Sequence, residues 1–302
     1  MDPQTLRWVA GPERLTTDVG LDTDLALSRD GKKLAYTIRA ENRSIWLLPF
    51  DAATGQIKGA RQSIATASMN PMACDLSRDG KKLSLAAQRA GKYVRSEISL
   101  EDGQEKLLAT EDIFVPYAGY WSRDGTRLVT RRERYLGPNG SLLFESTIIV
   151  YPAGGGEEWA LTSPTTWNIN GFDWTADGQW VLGFANPHTS GRSLIQLLPV
   201  AAAPHAETQA RVVTSSEEYN MWRTRLSPNE RWVTFNAVYK DNKDHTSTVY
   251  VVPTSGGAWT RITEGKYWDD VPRWPPDGKT IYFSSKRTGF FNTWGIRFNP
   301  DT

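Results

Sequence analysis

One cysteine, three histidines and no long apolar run set the first limits on this 302-residue chain. A lone thiol, Cys74, excludes an internal disulfide and leaves the redox compartment open. Cys74 precedes a repeated turn, so it is expected to be a packed strand residue, not a nucleophile. No stretch has the pattern of a secretory leader or of a membrane-spanning helix, so membrane insertion is not expected. Charge of one sign is lacking too: 35 lysines and arginines face 34 aspartates and glutamates, a net charge of +1. That balance gives no field to attract nucleic acid or an acidic membrane. Nor does any segment sustain a 3.6-residue apolar period long enough for a substantial helix.

What the chain has is a repeat. Six times an apolar residue is followed by a short turn and then a hydrophobic strand. The turns are Ser28-Arg29-Asp30-Gly31, Ser77-Arg78-Asp79-Gly80, Ser122-Arg123-Asp124-Gly125, Thr175-Ala176-Asp177-Gly178, Ser227-Pro228-Asn229-Glu230 and Pro275-Pro276-Asp277-Gly278. They recur every 45 to 53 residues, a period that means one supersecondary unit copied along the chain. Asp or Asn bonds its own backbone in such a turn, and Gly accepts the positive φ that a tight hairpin demands. The fifth copy has Glu230 where the others have Gly. Its hairpin is expected to close with Asn229 in the left-handed region.

Each repeat reads as four short strands rich in Val, Ile, Tyr and Trp and bounded by Gly, Pro, Asn and Asp. The fourth strands end on Thr66, Thr110, Thr162, Thr214 and Thr263, five copies for six turns. The sixth copy stands at the other end of the chain, in Glu13-Arg14-Leu15-Thr16. The expectation is an all-β, six-bladed propeller of four-stranded blades, closed by the N-terminal strand beside the last one. The blades run at about 20–66, 67–111, 112–163, 164–215, 216–264, and 265–302 with 12–17. Trp121, Trp174 and Trp274 share one repeat position, and Trp180, Trp232, Trp46 and Trp294 sit on strands. All are expected in the core.

The motif apolar-Ser-x-Asp-Gly-Lys-x-Leu/Ile resembles the TolB-like propeller repeat, a relative of WD-type repeats, over nearly the whole chain. Residues 274–294 match it most clearly. The resemblance implies a bacterial propeller similar to those fused to kinases and transcription regulators. Met1-Asp2-Pro3 and Asn299-Pro300-Asp301-Thr302 look like the limits of a domain excised from a larger protein. A periplasmic and a cytoplasmic site are both open. Such repeats also occur in TolB, in tricorn-type and prolyl-oligopeptidase-type peptidases and in oligogalacturonate lyases, and fold does not choose among these.

Residues for chemistry are scarce. His188 and His245 fall in loops between second and third strands and His205 in one between third and fourth, classes on opposite propeller faces. The innermost strands hold no histidine, unlike the central metal site of the lyases, so neither a metal nor any other cofactor is expected. No Gly-x-Ser-x-Gly elbow is present. Gly154-Gly155-Gly156 lacks the Lys-Ser/Thr of a phosphate loop. Paired carboxylates such as Glu157-Glu158 and Glu217-Glu218 face opposite sides of a strand.

A central funnel is then the expected site, read about five residues before each turn. That position and its neighbours give Asp22, Thr23 and Asp24, Met72, Tyr117, Asn168 and Asn170, Trp222 and Arg223, and Trp268, Asp269 and Asp270. Unlike the turns, these residues differ from repeat to repeat. Aromatic faces, amides, an arginine and carboxylates suit a protein or peptide partner, or a small ligand such as an oligosaccharide. The expected role is a non-enzymatic sensory or interaction domain, monomeric. The alternatives are a propeller enzyme or gating domain of a hydrolase or lyase, and a TolB-like structural partner in the envelope. The segment from Arg131 to Ser146, opening with Arg131, Arg132, Arg134 and Tyr135, is expected as a lid, docking loop or extended hairpin.

Overall fold

The computed structural model describes residues 21–30, 32–39, 43–64, 69–111, 114–135, 144–187 and 191–299. The chain divides into two compact units, Met1–Arg43 and Ser44–Thr302. In the first, Leu21–Leu27 pairs antiparallel with Leu34–Arg39, with a register shift between Thr23 and Leu25. The expected closing strand at 13–16, together with Thr66 and His188, lies outside the described residues.

The second unit is a β-propeller. Repeats two, four and five each form a four-stranded antiparallel sheet. That of repeat two runs Met69–Leu76, Lys82–Arg89, Lys92–Ser99 and Glu105–Glu111 in spatial order. Repeat three splits its inner strand into Phe114–Pro116 and Tyr120–Trp121, both paired with Arg127–Tyr135. Repeat six contributes Asp269–Arg273, Thr280–Ser285 and Asn292–Arg297. Inner strands of successive repeats touch in chain order, from repeat two to repeat six. Among the described residues this unit forms five blades, against the six expected from the turns. From the first repeat its described residues form two small pairs, Ile45–Leu47 with Gln62–Ile64 and Phe50–Asp51 with Gln56–Ile57. Helix is confined, among the described residues, to the short 3-10 turns Val200–Ala202 and Ala206–Gln209.

The turn motif folds for a local reason. Its first side chain donates to the third: Ser77 Oγ to Asp79 Oδ1 at 2.7 Å, Ser122 to Asp124 at 2.6 Å, Thr175 to Asp177 at 2.6 Å and Ser227 to Asn229 at 2.7 Å. The third then accepts a backbone N–H two residues on, as Asp79 does from Lys81 at 3.0 Å. In repeats two to six the fourth residue is left-handed, with φ of +71° at Gly80, +70° at Gly125, +64° at Gly178 and +68° at Gly278. In the fifth repeat Glu230 itself adopts φ +59°, and Asn229 does not. The expected substitution of Asn229 fails because Asn229 is already committed as the acceptor for Ser227 and for Arg231 N.

Blades pack through apolar faces. Val129, Ile148 and Val150 of repeat three meet Ile169, Phe172, Trp174 and Val181 of repeat four. Leu182, Phe184 and Ile195 meet Met221, Val233 and Phe235 of repeat five. Each such side chain contributes about 1.5–3 kcal/mol on burial. The threonines closing the fourth strands tie them to the third: Thr162 Oγ1 accepts Ile148 N at 3.2 Å and Thr263 Oγ1 accepts Val249 N at 3.0 Å. Trp121 and Trp174 are buried as expected. Trp46 is not; it stands 46% exposed under the guanidinium of Arg61, 4.2 Å above its ring. Cys74, expected inside, is exposed as well. Strand alternation explains it, because the neighbours Ala73 and Asp75 take the opposite face.

Candidate functional site

A bulge divides the inner strand of repeats two, four, five and six into two parts. Register shifts fall between Pro71 and Ala73, Asn170 and Asp173, Trp222 and Arg225, and Asp270 and Arg273. At the bulge the backbone is left-handed in three repeats: Gly171 (φ +71°), Arg223 (φ +58°) and Val271 (φ +54°). An extra residue there re-aims the side chains on either side. Residues before the bulge form one group, and those between bulge and turn another.

The first group holds the residues expected from sequence. Tyr117 Oη donates to Glu133 Oε2 at 3.1 Å, and the guanidinium of Arg131 lies 4.0 Å over its ring. Arg131 also pairs with Glu133 at 3.0 Å and donates to Asn168 Oδ1. Burial pushes the Tyr117 phenol up to about 12, so it remains a donor at neutral pH. Asn170 is buried, and its Oδ1 accepts Gly171 N at 2.8 Å. Trp222 packs edge-on against Phe184, at 5.2 Å between centroids. Arg223 is exposed, with Nε 3.8 Å from Asp270 Oδ1. Asp270 also accepts Val271 N at 2.7 Å. Trp268 is half-buried and forms an isolated bridge with Ser247. Asp269 is fully buried and paired with Arg287 at 3.3 Å, so it points away from solvent. Met72 is exposed. Asp22 and Asp24 lie on Leu21–Leu27 in the first unit.

Arg131, Arg132 and Arg134 do not open a loop. The strand continues to Tyr135, with Arg131 and Glu133 inside and Arg132 paired to Glu158. The buried Glu133 and nearby Glu158 neutralise a cluster that looks cationic in sequence. Residues 136–143 lie outside the described ones.

The second group lies two residues before each turn and was missed by sequence reasoning. It consists of Asp75, Tyr120, Asp173, Arg225 and Arg273, and it lines an axial cavity of about 240 Å³. Arg78, Arg123, Trp121, Trp274 and the turn prolines complete the wall. Two carboxylates act as staples between blades: Asp75 Oδ2 accepts Trp121 N at 3.2 Å, and Asp173 Oδ2 accepts Leu226 N at 2.9 Å. Arg225 is buried and fixed, with Nη1 donating to Phe172 O at 2.6 Å and Thr224 O at 2.9 Å. Its guanidinium stacks 4.6 Å from the Tyr120 ring. Burial raises the Asp75 carboxyl above its usual range, partly offset by Arg225 and Arg273. Burial and the Arg225 charge lower Arg273 to about 10, and Asp75 opposes them. The available signal was a charged or phenolic residue in an innermost strand, one step from an apolar anchor.

His205 accepts or donates at Ser163 Oγ, 2.9 Å away. Among the described residues, no three His, Cys, Asp or Glu side chains are grouped to hold a metal ion.

Antiparallel sheets arranged around such a cavity form a β-propeller, and the chain is similar in fold to TolB. A structure ascribed to TolB from Agrobacterium tumefaciens is 19% identical, covers 86% of each chain and superposes with a TM-score of 0.63. TolB from Acinetobacter baumannii is also 19% identical, over 82% of this chain and 55% of that one, with a TM-score of 0.53. An uncharacterized protein of Agrobacterium fabrum is 30% identical over 109 residues, 35% of this chain and only a third (33%) of that relative's length. No protein-family model matches the chain.

Proposed function

We propose that this chain is a non-enzymatic ligand- or protein-binding propeller that binds on its axis. The observation carrying this is the contrast between constant turns and variable axial side chains. Five repeats share one turn, whose third residue accepts the backbone N–H two residues on, yet their residues two before the turn are Asp, Tyr, Asp, Arg and Arg, gathered on one cavity. Identical packing demands would favour identical residues. A cavity with a few convergent polar groups on aromatic and proline walls is the usual form of a recognition site. The mouth group, Tyr117, Asn168, Trp222, Arg223, Trp268 and Asp270, would extend it for a peptide or sugar.

The test is a thermal-shift panel of short peptides, neutral and acidic oligosaccharides, nucleotides and divalent ions, with a pull-down for protein partners. A shift or capture lost in Trp222→Ala, Asp270→Ala or Arg273→Gln supports axial binding. Binding that survives all three places the site elsewhere, and turnover of any panel member overturns the non-enzymatic role.

A count of six blades belongs to the same proposal, since the sequence holds six copies of the turn. Deleting residues 1–16 then lowers the melting temperature well beyond a frayed end. An unchanged value shows another closure.

A further inference from the structure

We propose that the axial cavity receives a small oxyanion, a carboxylate or a phosphate, held between the guanidinium groups of Arg225 and Arg273. The inference names the ligand class for the axial binding role and rests on it.

Charge and hydrogen-bond accounting both lead there. Four arginines, Arg78, Arg123, Arg225 and Arg273, line the cavity against two carboxylates, Asp75 and Asp173. The carboxylates are largely occupied. Asp173 accepts Trp174 N at 2.8 Å on one oxygen and Leu226 N on the other, and Asp75 accepts Trp121 N. Arg123 is occupied too, donating to Trp174 O, Pro228 O and Ser227 O and lying 3.5 Å from Glu230.

Arg225 and Arg273 are different. Among the described residues neither has a carboxylate within ion-pair distance. Arg225 is 8% exposed, and its Nη1 alone is bonded to carbonyls, so Nε and Nη2 remain to be used. Arg273 donates only from Nη1, to Pro272 O at 2.9 Å. Two like charges close together in a low-dielectric wall repel. An anion between them replaces that repulsion with two attractions and fills the planar forks of donors that suit carboxylate and phosphate.

The geometry prepares the pair in advance. Phe172 O, Thr224 O and the Tyr120 ring hold Arg225 in one orientation before any ligand arrives. Preorganisation of this kind lowers the entropic cost of binding. Trp121, Trp274, Pro228 and Pro275 provide an apolar wall for the body of an organic anion.

The experiment measures melting temperature of the full chain at constant ionic strength against sodium acetate, sodium succinate, inorganic phosphate and the uncharged isostere acetamide. Variants are Arg273→Gln and the charge-retaining Arg273→Lys; Arg225 is left intact because its carbonyl bonds support the wall. Saturation about a hundredfold above Kd is expected to raise the melting temperature by about 4 °C. Acetamide is expected to do nothing. Arg273→Gln is expected to weaken anion binding at least tenfold, with partial retention in Arg273→Lys. The stronger of acetate or phosphate then names the source. Phosphate also stabilises proteins by surface exclusion, so an equal response in Arg273→Gln overturns the proposal, as does the lack of any anion response in the unmodified chain. If neutral peptides or sugars bind and no oxyanion does, this inference falls while axial binding stands; if neither they nor a protein partner bind, both fall.

Discussion

The carboxylate of Asp173, in the fourth repeat, accepts the backbone N–H of Leu226, in the fifth, at 2.9 Å. Its other oxygen accepts Trp174 N at 2.8 Å. Both donors belong to buried residues. Removing the acceptor leaves two backbone donors without partners, at about 1–3 kcal/mol each. Asp173→Ala is therefore expected to cost about 2–6 kcal/mol in urea denaturation. Asp173→Asn keeps one acceptor and is expected to lose clearly less. Equal losses would mean that the carboxylate is not the staple.

Glu230 occupies a left-handed position that glycine fills elsewhere. A non-glycine residue there costs about 1–2 kcal/mol. Its carboxylate offsets this by accepting Ala176 N and pairing with Arg123, bonds that reach back to repeats four and three. Glu230→Ala keeps the strain and loses the bonds, so it is expected to destabilise by about 1 kcal/mol. Glu230→Gly also removes the strain and is expected near neutral. Thermal melts of the two variants check the order; an alanine variant as stable as the glycine one would contradict it.

The bulge positions oppose one another. Val271 is β-branched at φ +54°, a strained state costing on the order of 1–3 kcal/mol. Val271→Gly is expected to raise stability by about 1 kcal/mol, net of the extra freedom glycine gains when unfolded. Gly171→Ala is expected to do the reverse, since a Cβ there would sit 2.7 Å from the Phe184 ring and 3.1 Å from Thr224 N at φ +71°. Denaturant midpoints would show both signs.

Acid should loosen the turns. The Ser122 hydroxyl and Thr126 N hold the Asp124 carboxyl down to about 2, from an ordinary 3.8. A depressed folded value contributes stability that is present above about pH 4 and lost as pH falls through 2. Asp30, Asp79 and Asp177 are lowered in the same arrangement. These groups lie near the surface, so each effect is small. Asp124→Asn, imitating Asn229, is expected to flatten the fall in melting temperature between pH 4 and pH 2. An unaltered slope would show that the acid response lies elsewhere.

The repeat, its turns and its strand order were legible in sequence because they are local. Ser122 finds Asp124 two residues away, and Trp174 sits at a fixed offset from its turn, so period and side-chain chemistry suffice. The threonines were legible for the same reason, since Thr162 and Thr263 meet the adjacent strand. Misplaced residues depended on partners far along the chain. Arg131 looks cationic until Asn168, 37 residues on, holds it inside. Asp269 looks available for a mouth until Arg287 buries it.

The sequence by itself determined that this is an all-β chain of one copied unit, because short runs rich in Val, Ile, Tyr and Trp and a turn every 45 to 53 residues admit little else. Only the tertiary structure decided which face of each inner strand meets the axis. The bulges shift register by a residue, and such a shift moves side chains to the other face. That is why Arg225 and Arg273, two residues from their turns, line the cavity together.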